Sequence, residues 1–379
     1  MSAPSYTATI LTRISQIAAK DWDDLIPSGN HPFLSHRFLL ALEESGSAIL
    51  ETGWAPRHIW VEDADGNAVG AAALYAKSHS QGEYVFDHAW ANALAQAGMD
   101  YYPKLQCSVP FTPATGPRLL GKTPEAKQAV AGAMMQACAE WEMSGVHLTF
   151  LQDDDREVLK DLGFAAREDR QFHFINRGYA DFDAFLGSLA SRKRKNIRKE
   201  RKAAQEGVNI QRLIGEDLKD EHWDIFYQCY LDTGTRKWGR PYLTRAFFDH
   251  MQQTMRDDIC LVTASMDGNY IAAALNYIGS DALYGRNWGA LVHKSFLHFE
   301  LCYYQAIEAG LELGLPRVEA GAQGEHKLAR GYEPVITHSA HWLAHPGLMQ
   351  GVENYLLRER AAVEHDVDIL AKHTPFRKD

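Results

Sequence analysis

Two stretches of this chain repeat each other: Asp65–Tyr75 (DGNAVGAAALY) and Asp267–Tyr277 (DGNYIAAALNY). Both open on Asp-Gly, a dipeptide suited to turns that need positive φ. Each follows a β-rich run, Arg57–Glu62 (RHIWVE) or Asp258–Ser265 (DICLVTAS), and each leads into a strand of small residues. The pattern predicts two β-hairpins 202 residues apart, counted from Gly66 to Gly268. Their surroundings repeat as well. A strand and an acidic-aromatic helix precede each hairpin: Tyr6–Ile10 with Lys20–Ile26, and Asn209–Leu213 with Asp220–Tyr230. A strand, a long helix and another strand follow each one. These are Cys107–Phe111, Pro124–Met143 and Val146–Gln152 in the first half, and Ala282–Trp288, Leu297–Leu313 and Arg317–Ala320 in the second. The order β-α-ββ-β-α-β, twice, reads as a duplicated α/β unit. A closing strand at Gln171–Asn176 would end the first copy, which sets expected domains at 1–178 and 179–379.

Just past that boundary lies Ser191–Lys202 (SRKRKNIRKERK), with eight lysines and arginines against Glu200. The whole chain carries a formal net charge of −10, so this local excess costs self-repulsion unless an anion meets it. Ala190, Ile197 and Ala204 recur every seven residues, which predicts a helix docked by one thin face with most cations left free. Such a comb suits phosphates of a cofactor, a tRNA backbone or lipid head groups. A solvated charged helix is the plainer alternative.

At 379 residues the chain is too long for one ordinary domain. A pI near 5.9 argues against general nucleic-acid coating, and no DNA partner is expected. The N-terminus lacks the apolar run of a signal peptide, and Val69–Ala76 is far short of a membrane span. A cytoplasmic location is expected, with peripheral membrane contact left open. Five widely spaced cysteines without a CxxC pair read as reduced thiols, and no His/Cys spacing predicts a metal.

The repeated strand order resembles the GNAT acyltransferase fold, and its tandem duplication resembles the FemAB group. Four stretches carry the likeness: SLASRKRKNIRKERKAAQEGV, RKWGRPYLTRAFF (Arg236–Phe248), LHFELCYYQAIE (Leu297–Glu308) and GAQGEHKLARGYEP (Gly321–Pro334). Together with HPFLSHRFLLALEESGSA (His31–Ala48) and VPFTPATGPRLL (Val109–Leu120), they are similar to the FemAB-like family of bacterial predicted N-acyltransferases. The resemblance implies two tandem GNAT-like domains with mixed central sheets and acyl transfer to an amine. From the fold alone, acyl-CoA is the expected co-substrate, with no metal. The expected acceptor is a small or lipid-like amine such as a sphingoid base. Aminoacyl transfer from tRNA to a cell-wall precursor is the less favoured alternative, and a binding module without chemistry is the third.

Amine acylation must remove a proton, stabilise an oxyanion and hold an anionic carrier. The segment Glu319–Tyr332 (EAGAQGEHKLARGY) is the densest set of suitable groups. Glu325 and His326 are candidate bases there, Lys327 and Arg330 candidate cations, and Gln323 and Glu319 candidate substrate contacts. In FemAB relatives a lysine in the corresponding segment stabilises the oxyanion, and Lys327 matches it. Arg286, Asn287 and Lys294 are candidates for the carrier, joined by Arg192, Lys195, Arg198 and Lys199 of the basic helix. His298 is a further catalytic candidate, with Glu300 beside it as a bracing residue. Trp238, Arg240 and Tyr242 would form a lid over the acceptor. The usual GNAT Arg/Gln-x-x-Gly-x-Gly/Ala loop is missing from both halves. The first half carries the acidic Gln152–Glu157 (QDDDRE) where the second has its catalytic segment, so the first is expected to shape the acceptor groove.

Overall fold

In the computed structural model, which describes residues 5–27, 31–237, 241–322 and 324–377, both Asp-Gly turns close β-hairpins. Strands Ile259–Met266 and Asn269–Ile278 are joined by Asp267 and Gly268 alone, at φ 49° and 79°. Two successive positive φ values match the twist of the flanking strands, which is why Asp-Gly is favoured there. The first copy, His58–Glu62 with Ala68–Ala72, has a longer turn with Gly66 at φ 80°.

The chain forms two units: residues 1–169 with 336–365, and residues 170–335 with 366–379. In the first, Thr7–Leu11, His58–Glu62, Ala68–Ala72 and Leu120–Gly121 make an antiparallel sheet in that order. Beside these run Trp54–Pro56, Leu74–Lys77, Lys104–Cys107 and Gly145–Thr149, the last two paired in parallel. The helix Pro124–Glu140 links that parallel pair. Thr123 caps it by accepting from the Ala126 amide, and Val130, Ala131 and Met134 pack against Leu105 and Leu148.

The second unit repeats this plan. Its strands run in the order Asn209–Ile214, Ile259–Met266, Asn269–Ile278, Ala282–Ala290 and Arg317–Glu319. The last two are again parallel, with the helical stretch Leu297–Glu312 between them. The strand Asn269–Ile278 is apolar along most of its length because both its faces are covered. Ala272 and Ala274 belong to the cluster of Leu301 and Ile307, while Ala273 and Leu275, equally buried, point the other way. The helix Asp220–Lys237 packs closely on Ala282–Ala290: a Cβ on Gly289 would lie 1.9 Å from the Cys229 carbonyl oxygen.

The division differs from the expected break at 178/179. Gln171–Asn176, expected to close the first copy, is the end of a longer strand, Ala165–Ile175. Its residues His173–Ile175 pair with Arg317–Glu319 in the second unit. Conversely, Ser339–Leu343 pair with Gly145–Thr149 in the first. Each unit therefore takes a sheet strand from the other half of the sequence. The long tail helix Pro346–Ala371 puts Val352 and Leu356 on Trp90 and Leu94 of the first unit. Among the described residues no helix is long and apolar enough to cross a membrane.

Candidate active site

The parallel pair of the second unit is short. Ala282, Leu283 and Tyr284 match Arg317, Val318 and Glu319, after which Ala282–Ala290 continues without that neighbour. The strands part beyond Tyr284, and the opening holds a cavity of about 110 Å³. A bulge shapes its floor. Leu275 pairs with Asn287 and Asn276 with Gly285, so Arg286 is the extra residue. Gly285 leaves room for a side chain and a backbone: a Cβ there would stand 3.3 Å from both Asn276 Oδ1 and the Glu319 carbonyl oxygen. Arg286, Asn287 and Trp288 line the cavity from the strand, with Ala320 on the far side.

The helical wall supplies His298, Cys302 and Tyr303. Between Leu297–Phe299 and Gln305–Glu312 the helix widens into a π turn, Glu300–Tyr304, a distortion frequent at functional sites. Glu300 anchors it. Its buried carboxylate accepts from Arg201 Nη2 and Nε at 2.9 and 3.1 Å, and from Gln205 and Gln305 at 2.8 Å each. Glu300 thus pairs with the basic helix Ser191–Gln205 and not with His298, whose ring lies 4.9 Å from Trp288 and 5.3 Å from Tyr303.

Behind this wall lies the turn Glu325–Arg330, entered through Gly324 at φ 113° and left through Gly331 at φ 91°. Only glycine takes such backbone cheaply, and a Cβ on Gly331 would also strike Phe185 at 2.4 Å. His326 is exposed, and its Nε2 lies 2.8 Å from the Tyr303 hydroxyl. Burial raises the Tyr303 pKa. Lys327 is buried and donates to the Gly321 carbonyl at 2.8 Å. Burial pushes its pKa down to about 8, with Cys302 opposing. Arg330 stacks 3.4 Å from the centre of the Phe299 ring and donates to Glu200 at 2.9 Å and to the His326 carbonyl at 2.7 Å. Tyr304 donates to the same Glu200, so the single acid of the basic comb clamps that helix to this turn.

The other expected residues are spread more widely. Glu325 is exposed, 3.3 Å from Arg170. Glu319 is buried and accepts from Arg317 Nε at 2.9 Å; its second oxygen has no hydrogen-bond partner among the described residues. Lys294 donates to the Glu206 carbonyl at 2.8 Å. Arg192, Lys195, Arg198 and Lys199 are exposed and do not line the cavity; Arg198 borders a separate open groove of about 630 Å³ with Arg201 and Lys202. Tyr242 is exposed, while Trp238, Arg240 and Gln323 lie outside the described residues. Leu291–Phe296 contains no glycine, and Lys294 within it is engaged with the Glu206 carbonyl.

Tyr303, Cys302, Trp288 and Asn276 were not among the expected site residues. Asn276 did carry a signal, being the one polar side chain in IAAALNY apart from its terminal tyrosine, and a buried polar group calls for a partner. It donates to the Cys260 carbonyl at 3.1 Å.

Two units of this topology, one opening its parallel pair over a lined cavity, define a tandem GNAT-like protein. The chain belongs to the FemAB-like family, described as peptidoglycan biosynthesis/recognition, whose model matches residues 13–378. Solved structures share the fold at low identity. FemX is 14% identical with a TM-score of 0.56, covering 89% of this chain and 98% of its own. The C-terminal domain of a putative lysylphosphatidylglycerol synthetase from Agrobacterium fabrum is 8% identical with a TM-score of 0.57, covering 89% and 95%. The L-PGS of Bacillus licheniformis is 11% identical with a TM-score of 0.50, covering 83% and 95%. No curated protein matches the chain in sequence.

Proposed function

We propose that this protein is an N-acyltransferase that joins an activated acyl group to the amine of a small or lipid-like acceptor in the cleft of the second unit. Family membership supports acyl or aminoacyl transfer. The observation that carries the reading is the cavity between the splayed strands, with the Tyr303–His326 hydrogen bond on its wall.

In the step proposed, the neutral amine attacks the carbonyl carbon of an acyl thioester. The C–N bond forms, the tetrahedral oxyanion collapses, the C–S bond breaks, and the leaving thiolate takes up a proton as the nitrogen loses one. Tyr303 is the cavity-wall hydroxyl able to relay that proton, and exposed His326 behind it is an outlet to solvent. Lys327 spends one of its three N–H donors on the Gly321 carbonyl, one residue beyond the cavity-lining Ala320, which leaves others for an oxyanion. The aromatic lining of Trp288, His298 and Tyr303 suits an acceptor with an apolar portion.

A second reading, with the aminoacyl ester of a tRNA as donor, is favoured by the missing glycine cradle at Leu291–Phe296. Incubation with a series of acyl-CoAs and a long-chain amine, beside incubation with aminoacyl-tRNA and a cell-wall precursor, tests both. Amide formed only in the first supports the thioester reading, amide only in the second the alternative, and product in neither overturns the assignment.

A further inference from the structure

We propose that the outer face of the basic helix Ser191–Gln205, together with the loop tip Leu291–Phe296, is a docking surface for an anionic lipid bilayer. Two observations converge on it, one of charge and one of apolar exposure.

The helix is sharply two-sided. Ile197 and Ala204 are buried, and Arg201 and Glu200 on the same side are consumed by Glu300 and Arg330. At about 100° per residue from Ile197, Arg198, Lys202, Lys195, Lys199 and Arg192 fall between roughly 100° and 220°, in one stripe opposite the docked face. All five are exposed. Among the described residues Arg198 is the one of the five with an acidic partner, Asp183 at 3.3 Å, an exposed pair that holds it weakly. Glu206, just past the helix, is the acid on that side. In a chain of net charge −10, such a stripe is complementary to a sheet of anions.

The tip gathers exposed apolar side chains. Within six residues, Leu291, Val292 and Phe296 are 43%, 45% and 40% exposed. The tip is tied to the C-terminal end of the basic helix, because Lys294 donates to the Glu206 carbonyl at 2.8 Å. Cations alone would suit a nucleic acid equally well. Three partly exposed hydrophobic side chains beside them suit a bilayer, whose interface accepts apolar groups under a layer of phosphates. The tip runs directly into Leu297 and the cavity-lining His298, so a docked protein would hold the mouth of its cleft near the head groups. This deepens the reading of a lipid-like acceptor and rests on that reading for its purpose, though the binding test does not.

The full-length protein is floated with vesicles of phosphatidylcholine alone and with vesicles containing equal phosphatidylglycerol, at low and high salt. Binding to the anionic vesicles, lost at high salt, is expected. R192E/K195E/K199E should reduce it at least tenfold. L291S/V292S/F296S should also reduce it at least tenfold while leaving acylation of a short soluble amine unchanged and the fold intact by circular dichroism. Absence of binding to anionic vesicles overturns the proposal. So does tight binding of tRNA that the serine variant leaves untouched while vesicle binding is also untouched, which would mark a nucleic-acid surface. Vesicle binding without any acylation would uphold the docking surface and reject the function proposed above.

Discussion

The hydroxyl of Tyr303 and Nε2 of His326 lie 2.8 Å apart, joining a cavity-lining side chain to one exposed to solvent. The two sit 23 residues apart in sequence, one in a π turn and one in a glycine-bounded 3₁₀ turn.

If this pair relays the proton, Y303F should lower the rate of acyl transfer by about a hundredfold, the scale of a positioned acid or base. Thermal stability should change little, because the ring remains. Steady-state kinetics together with a melting curve separate the two effects. A Y303F enzyme of undiminished rate would remove Tyr303 from the chemistry.

Glu300 holds the π turn through four hydrogen bonds that its carboxylate accepts. E300A would leave Arg201 with only Glu308 in a largely buried place. The expected cost is about 3 kcal/mol, read from chemical denaturation, since Arg201 Nε and Nη2 and the Gln305 amide lose their acceptor while Glu308 still balances the charge.

Lys327 has a folded-state pKa of about 8 against an ordinary 10.5. Below pH 8 it is charged in both states and its burial opposes folding. Between pH 8 and 10.5 the unfolded chain binds more protons, so stability rises with pH. The relief amounts to about 3 kcal/mol, at about 1.4 kcal/mol per pH unit. Lys77 of the first unit, depressed to about 7 by burial, adds a slope of the same sign. Comparison with K327M isolates the Lys327 part: denaturation free energies of the variant should climb less steeply over that window.

Gly289 touches the helix Asp220–Lys237 through its missing side chain, and G289A would press a methyl group to within 1.9 Å of the Cys229 carbonyl. A backbone atom cannot rotate away, so the variant should be destabilised by about 3 kcal/mol or fail to fold. A calorimetric melt reads this directly.

Much of this architecture was legible in the chain. Asp267-Gly268 announced its turn because the backbone there requires what those residues tolerate. The stripe of Ile197 and Ala204 announced the docked face of the basic helix, and helical spacing places Arg201 beside Ile197, on the side that meets Glu300. The exchange of strands was not legible. The partners of His173–Ile175 and Ser339–Leu343 are chosen by sheet geometry far along the chain, and no local pattern records them. The π turn was hidden for a related reason: ELCYY fits an ordinary helix, and the Arg201–Glu300 network that widens it is tertiary. The candidate segment Glu325–Arg330 was visible from its glycines and charges, whereas Tyr303 was not, since a tyrosine in an apolar helix reads as core.

The central claim is that an amine meets an activated carbonyl inside the opening between Ala282–Ala290 and Arg317–Glu319. Ala320 lines that opening, and a phenylalanine there would fill much of its roughly 110 Å³. Mass-spectrometric detection of amide, from an acyl thioester and a long-chain amine, should find product with the native chain and none with a folded A320F. Equal product from A320F, or none from the native chain, would contradict the account.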